Sequence, residues 1–263
     1  MSLDPTVSLR SATVARLRAA GCVFAEDEAE LLIESARDAA ALDLLVERRA
    51  AGLPLEHVVG WAEFGGLRIA VDPGVFVPRR RTEFLVERAV ALAAPGALCV
   101  DLCCGSGAAG AVLLSAVPGA RVHAADIEPA AVRCARRNVE PRGGRVHEGD
   151  LFAPLPDELR GRVEVLVANV PYVPTGEVGL LPPEAREHEP LVALDGGPDG
   201  LDVLRRVAAG APEWLAPGGR LFVETSGRQT GAAAEAVAAH GLTPRFEVCE
   251  ERYATVLVAT REG

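Results

Sequence analysis

Apolar positions follow two different periods along this chain. Up to about residue 50 they recur every three to four residues: Val14 and Leu17 ahead of Gly21, then Ala29, Leu32, Ile33 and Ala36, then Leu42, Leu45 and Val46. That spacing places them on one face of a helix, and Gly52 and Pro54 end the run. From Val58 to Val77 the period shortens to two. Leu67, Ile69 and Val71 alternate with other residues between Gly65-Gly66 and Asp72-Pro73-Gly74, which predicts a short hairpin. From Thr82 onward helical and strand patterns alternate. Helices are predicted at 82–93, 108–116, 129–138, 200–214 and 230–240, and strands at 98–102, 121–125, 146–148, 163–168, 220–224, 245–250 and 254–259. Strands separated by helices of about 10–15 residues imply a doubly wound parallel sheet. The short turn between the last two strands predicts an antiparallel edge. The expected fold is α/β, Rossmann-like and seven-stranded. Its expected domains are a small helical domain plus hairpin over residues 1–80 and a catalytic domain over 81–263.

Composition narrows the function. With 49% hydrophobic residues in 263, the chain can bury a full α/β core. Its longest apolar run falls short of the roughly 20 residues needed to cross a bilayer, and Met1 to Arg10 lacks the apolar stretch of a signal peptide. A cytoplasmic protein is therefore expected. The net charge of −10 argues against a general nucleic-acid binder, which presents a basic face. All basic residues besides histidine are Arg, which reads as compositional bias, and Arg79-Arg80-Arg81 is one candidate for a local basic patch. The six cysteines lack paired C-x-x-C spacing, so no metal site is expected and they read as small buried hydrophobes.

The candidate chemistry begins where the strand 98–102 runs into Asp101-Leu102-Cys103-Cys104-Gly105-Ser106-Gly107 and opens a helix. At the carboxyl edge of a parallel sheet, such a loop lets backbone amides approach a ligand closely. The loop matches neither G-x-G-x-x-G nor a P-loop, and a packing turn is the alternative. Asp126 ends the next strand, where a carboxylate can accept ribose hydroxyls. Asp150 ends the third, where one can meet an adenine amino group. Each acid could equally cap a helix or turn. An acid at Asp101 suits the methionine ammonium of S-adenosylmethionine and ill suits a pyrophosphate, so a methyltransferase is favoured over a dehydrogenase. At the fourth strand end stands Asn169-Val170-Pro171-Tyr172. The Asn oxygen and a backbone carbonyl can accept both hydrogens of a planar NH₂ while the Tyr ring stacks on its plane. A strand-terminating turn is again the alternative.

Taken together, these segments resemble the HemK/PrmC family of protein-(glutamine-N5) methyltransferases. Gly74-Val75-Phe76-Val77-Pro78-Arg79 through Thr82-Glu83 is similar to its G-V-L/F-I/V-P-R-P-x-T-E segment. Glu189-Pro190 through Gly196-Gly197 and Asp199-Gly200-Leu201 is similar to E-P-x-x-A-L-x-G-G-x-D-G-L. Leu215 to Gly219 with Glu224 and Gln229 is similar to its late strand and E-I-G-x-x-Q pattern. The resemblance implies a class I methyltransferase sheet and S-adenosylmethionine held by Cys103, Cys104, Gly105, Ser106, Gly107, Asp126, Asp150 and Asn169, with Phe76, Asp101, Ile127 and Leu151 beside them. It also implies a protein substrate, suspected to be a peptide chain release factor, whose glutamine amide is gripped by Asn169, Val170, Pro171 and Tyr172. Of these, Asn169 and Tyr172 are the expected catalytic pair. Val170 replaces the first proline of N-P-P-Y, Cys103-Cys104 replaces Gly-Thr, Arg80 stands at a usual proline and Ser226 near a usual glycine. With a short helical domain, these departures mark a divergent branch. The rival readings are an adenine-amino methyltransferase on DNA or RNA, which needs a basic face for a flipped base, and a cofactor-binding protein without catalysis.

Overall fold

The computed structural model describes residues 5–263; residues 1–4 of the Met1–Arg10 stretch lie outside it. Three helices, α1 (Pro5–Ala19), α2 (Ala25–Ser35) and α3 (Ala39–Ala50), come first, followed by the single turn α4 (Leu55–Val59). Leu17, Ala25, Ala29, Leu32, Leu42, Val46 and Val58 form their own apolar core. Leu17, Ala29, Leu32, Leu42 and Val46 are among the residues that recur at helical spacing. Asp38 caps α3 by accepting the Ala41 amide at 2.8 Å.

The hairpin β1 (Trp61–Phe64) and β2 (Leu67–Ala70) is closed by Gly65-Gly66, both at positive φ, as a two-residue turn requires. Its inward residues Ala62, Phe64 and Ile69 share the core of the main sheet rather than that of the helices.

The remaining elements alternate: α5 (Arg80–Leu92), β3 (Leu98–Leu102), α6 (Ala108–Ala116), β4 (Arg121–Asp126), α7 (Pro129–Val139), β5 (Arg145–Glu148), β6 (Val163–Ala168), α8 (Pro183–His188), α9 (Asp202–Trp214), β7 (Leu215–Thr225), α10 (Thr230–Ala238), β8 (Leu242–Cys249) and β9 (Ala254–Arg261). The sheet order is β5-β4-β3-β6-β7-β9-β8, with parallel pairing up to β7 and antiparallel pairing of β9 with both β7 and β8. The seven-stranded, mostly parallel sheet and its antiparallel edge agree with the expectation. Strand order reverses between β3 and β6, so their carboxyl ends splay apart and open a crevice. Among the described residues, no helix is long and apolar enough to cross a membrane.

Two differences from the periodicity reading have physical causes. β7 begins at Leu215, five residues early, because Leu215 pairs with Val163 ahead of a register shift. The segment 173–199, for which the periodicity predicts no element, forms three short helical pieces including α8. Each piece is two turns or shorter and all three open at a proline (Pro174, Pro182 with Pro183, and Pro190), so no period can develop.

One ion-pair network ties the helices to this segment. Arg49, 9% exposed, pairs with Glu28 in α2 at 2.6 Å and with Glu184 in α8 at 2.6 Å. Removing one member of a buried pair strands the other charge, which costs about 3–5 kcal/mol, whereas replacing both by apolar groups is often nearly neutral. Arg49→Ala should therefore lower stability in chemical denaturation by about 3–5 kcal/mol, and Arg49→Met with Glu28→Leu by clearly less.

Candidate active site

The crevice widens into a cavity of about 570 Å³ lined by the carboxyl ends of β3, β4, β6 and β7 and by the segment after β5. Every residue expected to hold cofactor or substrate lines it except Gly107. Gly107 lies underneath, at φ 75°, and a Cβ there would come within 2.8 Å of Val139 and 3.0 Å of Ala135. It is the residue that lets the loop pass against α7.

The loop is tied to its neighbour strand by Asp126. One carboxylate oxygen accepts the Gly105 amide at 2.8 Å and the other the Glu128 amide at 2.9 Å. Each oxygen keeps a lone pair for a hydroxyl from the cavity. Cys103 adopts φ 53°, a left-handed conformation that costs a non-glycine residue about 1–2 kcal/mol. The glycine usual at this position in the resembled pattern would carry no such strain. Burial, reinforced by the charges of Asp101 and Asp126, raises the Cys103 and Cys104 thiols far above their ordinary range. They stay neutral, and all six cysteines are free.

Asp101 is 2% exposed and accepts the Gly110 amide at 2.9 Å. Burial raises its carboxyl to about 7; the Gly110 hydrogen bond opposes this and the Asp126 charge adds to it. Asp150 faces Arg206 of α9, which also lines the cavity and which motif reading missed. A sequence signal existed, since Arg206 lies three residues after Val203 and both reach the cavity from one face of α9.

At the end of β6 the Asn169 side-chain oxygen is buried with no hydrogen-bond partner. The loop that carries it is fixed on several sides. Val170 is 2% exposed in the core between the sheet and α9. The Gln229 side chain donates to the Tyr172 carbonyl at 3.0 Å and to the Asp199 carbonyl at 2.9 Å. The Ser226 hydroxyl meets the Gln229 oxygen at 2.7 Å, which fixes which end of that amide faces the loop. Gly200, at φ 78°, is also required, because a Cβ there would lie 2.2 Å from the Tyr172 oxygen. The Tyr172 hydroxyl donates to Glu224 at 2.9 Å.

The basic cluster divides its work. Arg79 reaches Glu189, which is 6% exposed and also accepts the Val77 amide, while Arg81 reaches Glu224. His57 is buried against the Val75 carbonyl, and His147 pairs with His123. None of these histidines lines the cavity.

A seven-stranded sheet of this order, with a glycine loop after β3, acids after β4 and β5 and an Asn-x-Pro-Tyr loop after β6, defines an S-adenosylmethionine-dependent class I methyltransferase. The methyltransferase small domain family matches residues 66–180. A solved methyltransferase from Pyrococcus furiosus shares the fold, with TM-score 0.58 and 16% identity over 75% of this chain and 90% of that one. The release factor glutamine methyltransferase of Mycolicibacterium smegmatis is 44% identical over 79% of this chain and 78% of its own length. That of Geobacter sulfurreducens is 45% identical over 68% of this chain, which spans 63% of the relative's length. The chain belongs to the family of release factor glutamine methyltransferases.

Asp101 gives this site a pH signature. Its folded pKa of about 7 exceeds the ordinary carboxylate value, so the folded state binds the proton more tightly and its ionisation opposes folding. That penalty is full above about pH 7 and fades as pH falls toward about 4. His123, pushed down to about 4 by burial, works the other way as pH falls below 6.5. The informative quantity is therefore the stability difference between Asp101→Asn and wild type. It should favour the variant at pH 8 and shrink steadily by pH 5 in paired thermal melts; a difference independent of pH would contradict this reading of Asp101.

Proposed function

We propose that this protein methylates the side-chain amide nitrogen of a glutamine in a protein, with a peptide chain release factor in the cytoplasm as the target. The observation that carries this reading is the unpartnered oxygen of Asn169. A buried acceptor left without a donor costs about 1–3 kcal/mol, so a native structure that keeps one has a use for it. A substrate NH₂ group supplies the missing donor.

S-adenosylmethionine, when bound, supplies an electrophilic sulfonium methyl. Asp126 and the Gly105 to Gly107 backbone would hold its ribose and methionine portions, Asp101 its ammonium group, and Asp150 with Leu151 its adenine. The cavity has the groups for this: a buried carboxylate at the β3 end, a half-buried one at the β4 end, and a loop glycine where a Cβ would strike α7. On the substrate side, Asn169 accepts one amide hydrogen and the Val170 carbonyl the other, which turns the nitrogen lone pair toward the methyl. The Tyr172 ring bounds the amide plane.

An amide nitrogen is weakly nucleophilic because its lone pair is delocalised, so fixing its attack geometry supplies most of the acceleration. As nitrogen becomes cationic, its hydrogen bonds to Asn169 and Val170 strengthen, and transition-state binding exceeds ground-state binding. The proton then leaves to water without a dedicated base.

Adenine methylation in nucleic acid fits less well, since the site carries ion-paired arginines and the chain a net charge of −10. The helices α1 to α3, joined to α8 through Arg49 and Glu184, are the proposed recognition unit for the protein substrate.

The test uses the source organism's release factor, labelled methyl donor and mass spectrometry of the modified peptide. Wild-type protein should methylate one glutamine, and label on nucleic acid or on no macromolecule would overturn the proposal. Asn169→Ala should bind S-adenosylmethionine within a few-fold of wild type while kcat and kcat/KM fall together by about 10²–10³. A variant that kept above about a tenth of the turnover, far more than that loss allows, would remove Asn169 from catalysis.

A further inference from the structure

Glu224, at the end of β7, is the buried charged group on the substrate side of the cavity that the methyl-transfer scheme above leaves unused. Its side chain is 4% exposed, yet three donors converge on it. The Thr82 hydroxyl reaches one oxygen at 2.7 Å; the Tyr172 hydroxyl and the Arg81 Nε each reach the other at 2.9 Å. The Arg81 guanidinium, 48% exposed at the cavity mouth, also lies 5.7 Å from the centre of the Tyr172 ring. Thr82 and Arg81 belong to the first turn of α5, so one carboxylate joins α5, the loop after β6 and the sheet.

We propose that Glu224 is a positioning residue for methyl transfer: it fixes the Tyr172 ring as the wall of the amide slot and neutralises Arg81 at the substrate end of the cavity. The proposal rests on the glutamine-methylating reading of the same site. The first role follows from geometry. Tyr172 has its backbone carbonyl held by Gln229 and its hydroxyl held by Glu224, so the residue is anchored at the main chain and at the far end of its ring. The second follows from charge movement. In the reaction the sulfur–methyl bond breaks with its electron pair left on sulfur, a nitrogen–methyl bond forms, and nitrogen then loses a proton to water. Positive charge thus travels from the ends of β3 to β5, where the cofactor loop lies, toward the ends of β6 and β7. An unneutralised guanidinium at that destination would oppose the transfer, an opposition that solvent at the half-exposed Arg81 moderates but does not abolish. The Glu224 carboxylate removes it. Burial and Glu224 together also push the Tyr172 hydroxyl well above its ordinary range, so the ring presents a neutral phenol at working pH.

Glu224→Gln keeps the shape but removes the charge and turns an amide donor toward at least one of the three donors. In single-turnover assays with a release factor, kcat should fall about 10²-fold, with S-adenosylmethionine affinity held within about twofold. Adding Arg81→Gln should recover at least about tenfold of that loss, the equivalent of about 1.4 kcal/mol. A purely structural role predicts further loss from the second substitution.

A second measurement needs no substrate. The chain has two tyrosines, and Tyr253 is 92% exposed. The Tyr172 ring-carbon signal beside the hydroxyl should stand apart from that of Tyr253 in carbon-13 spectra of wild type and move toward it in Glu224→Gln. Turnover of Glu224→Gln within about threefold of wild type, a doubly substituted protein slower than Glu224→Gln, or an unmoved Tyr172 signal would each overturn the proposal. Wild-type protein that methylates no release factor would instead count against the function, and the Tyr172 signal would still decide the pinning.

Discussion

A carbonyl oxygen buried without a donor is a standing cost to the folded state, and the end of β6 retains one at Asn169. The surrounding structure keeps that oxygen from finding a partner of its own. Val170 is sunk in the core, Gln229 and Glu224 pin Tyr172, and Gly200 makes room for the Tyr172 carbonyl that Gln229 holds. The strand order supplies the setting, since it reverses between β3 and β6, and such a switch point is where an open α/β sheet admits a ligand. The unpartnered Asn169 oxygen and the left-handed Cys103 and Leu151 all line the same cavity, as expected where binding rather than stability sets the residues.

The departures from the family pattern can be understood in the same terms. Proline at Val170 would stiffen the loop by restricting the unfolded chain. Here the loop is secured from outside by the Ser226–Gln229 contact and by burial of Val170 itself. Ser226, near a usual glycine of the pattern, begins a capping box with Gln229 and so strengthens the same clamp. Cys103 works in the opposite direction. It holds a left-handed conformation that glycine would adopt freely, and its neutral thiol offers no charge in return.

How much of this was legible in the sequence depended on the range of the interaction. Period-two and period-3.6 patterns located the hairpin, the sheet strands and the long helices, because burial of one face is written locally. Asp101, Asp126, Asp150 and Asn169 could be placed at four strand ends for the same reason. The wall formed by 173–199 was not legible, because its pieces are too short and proline-interrupted for a period. The partnerships of Arg206 with Asp150 and of Arg81 with Glu224 span 56 and 143 positions, and no local pattern reports a contact made only by the closed fold. Glu224 was visible as a motif letter, but its meaning needed the coordinates of α5 and of the loop after β6.

The central claim concerns one atom, and a crystal structure of the protein with S-adenosylhomocysteine and a glutamine-bearing release-factor fragment tests it most directly. The account predicts the glutamine amide nitrogen at hydrogen-bond distance, about 2.7–3.2 Å, from both the Asn169 side-chain oxygen and the Val170 carbonyl, with its lone pair facing the sulfur. An Asn169 oxygen still without a partner, or one bonded to the cofactor while the glutamine lies elsewhere, would contradict it.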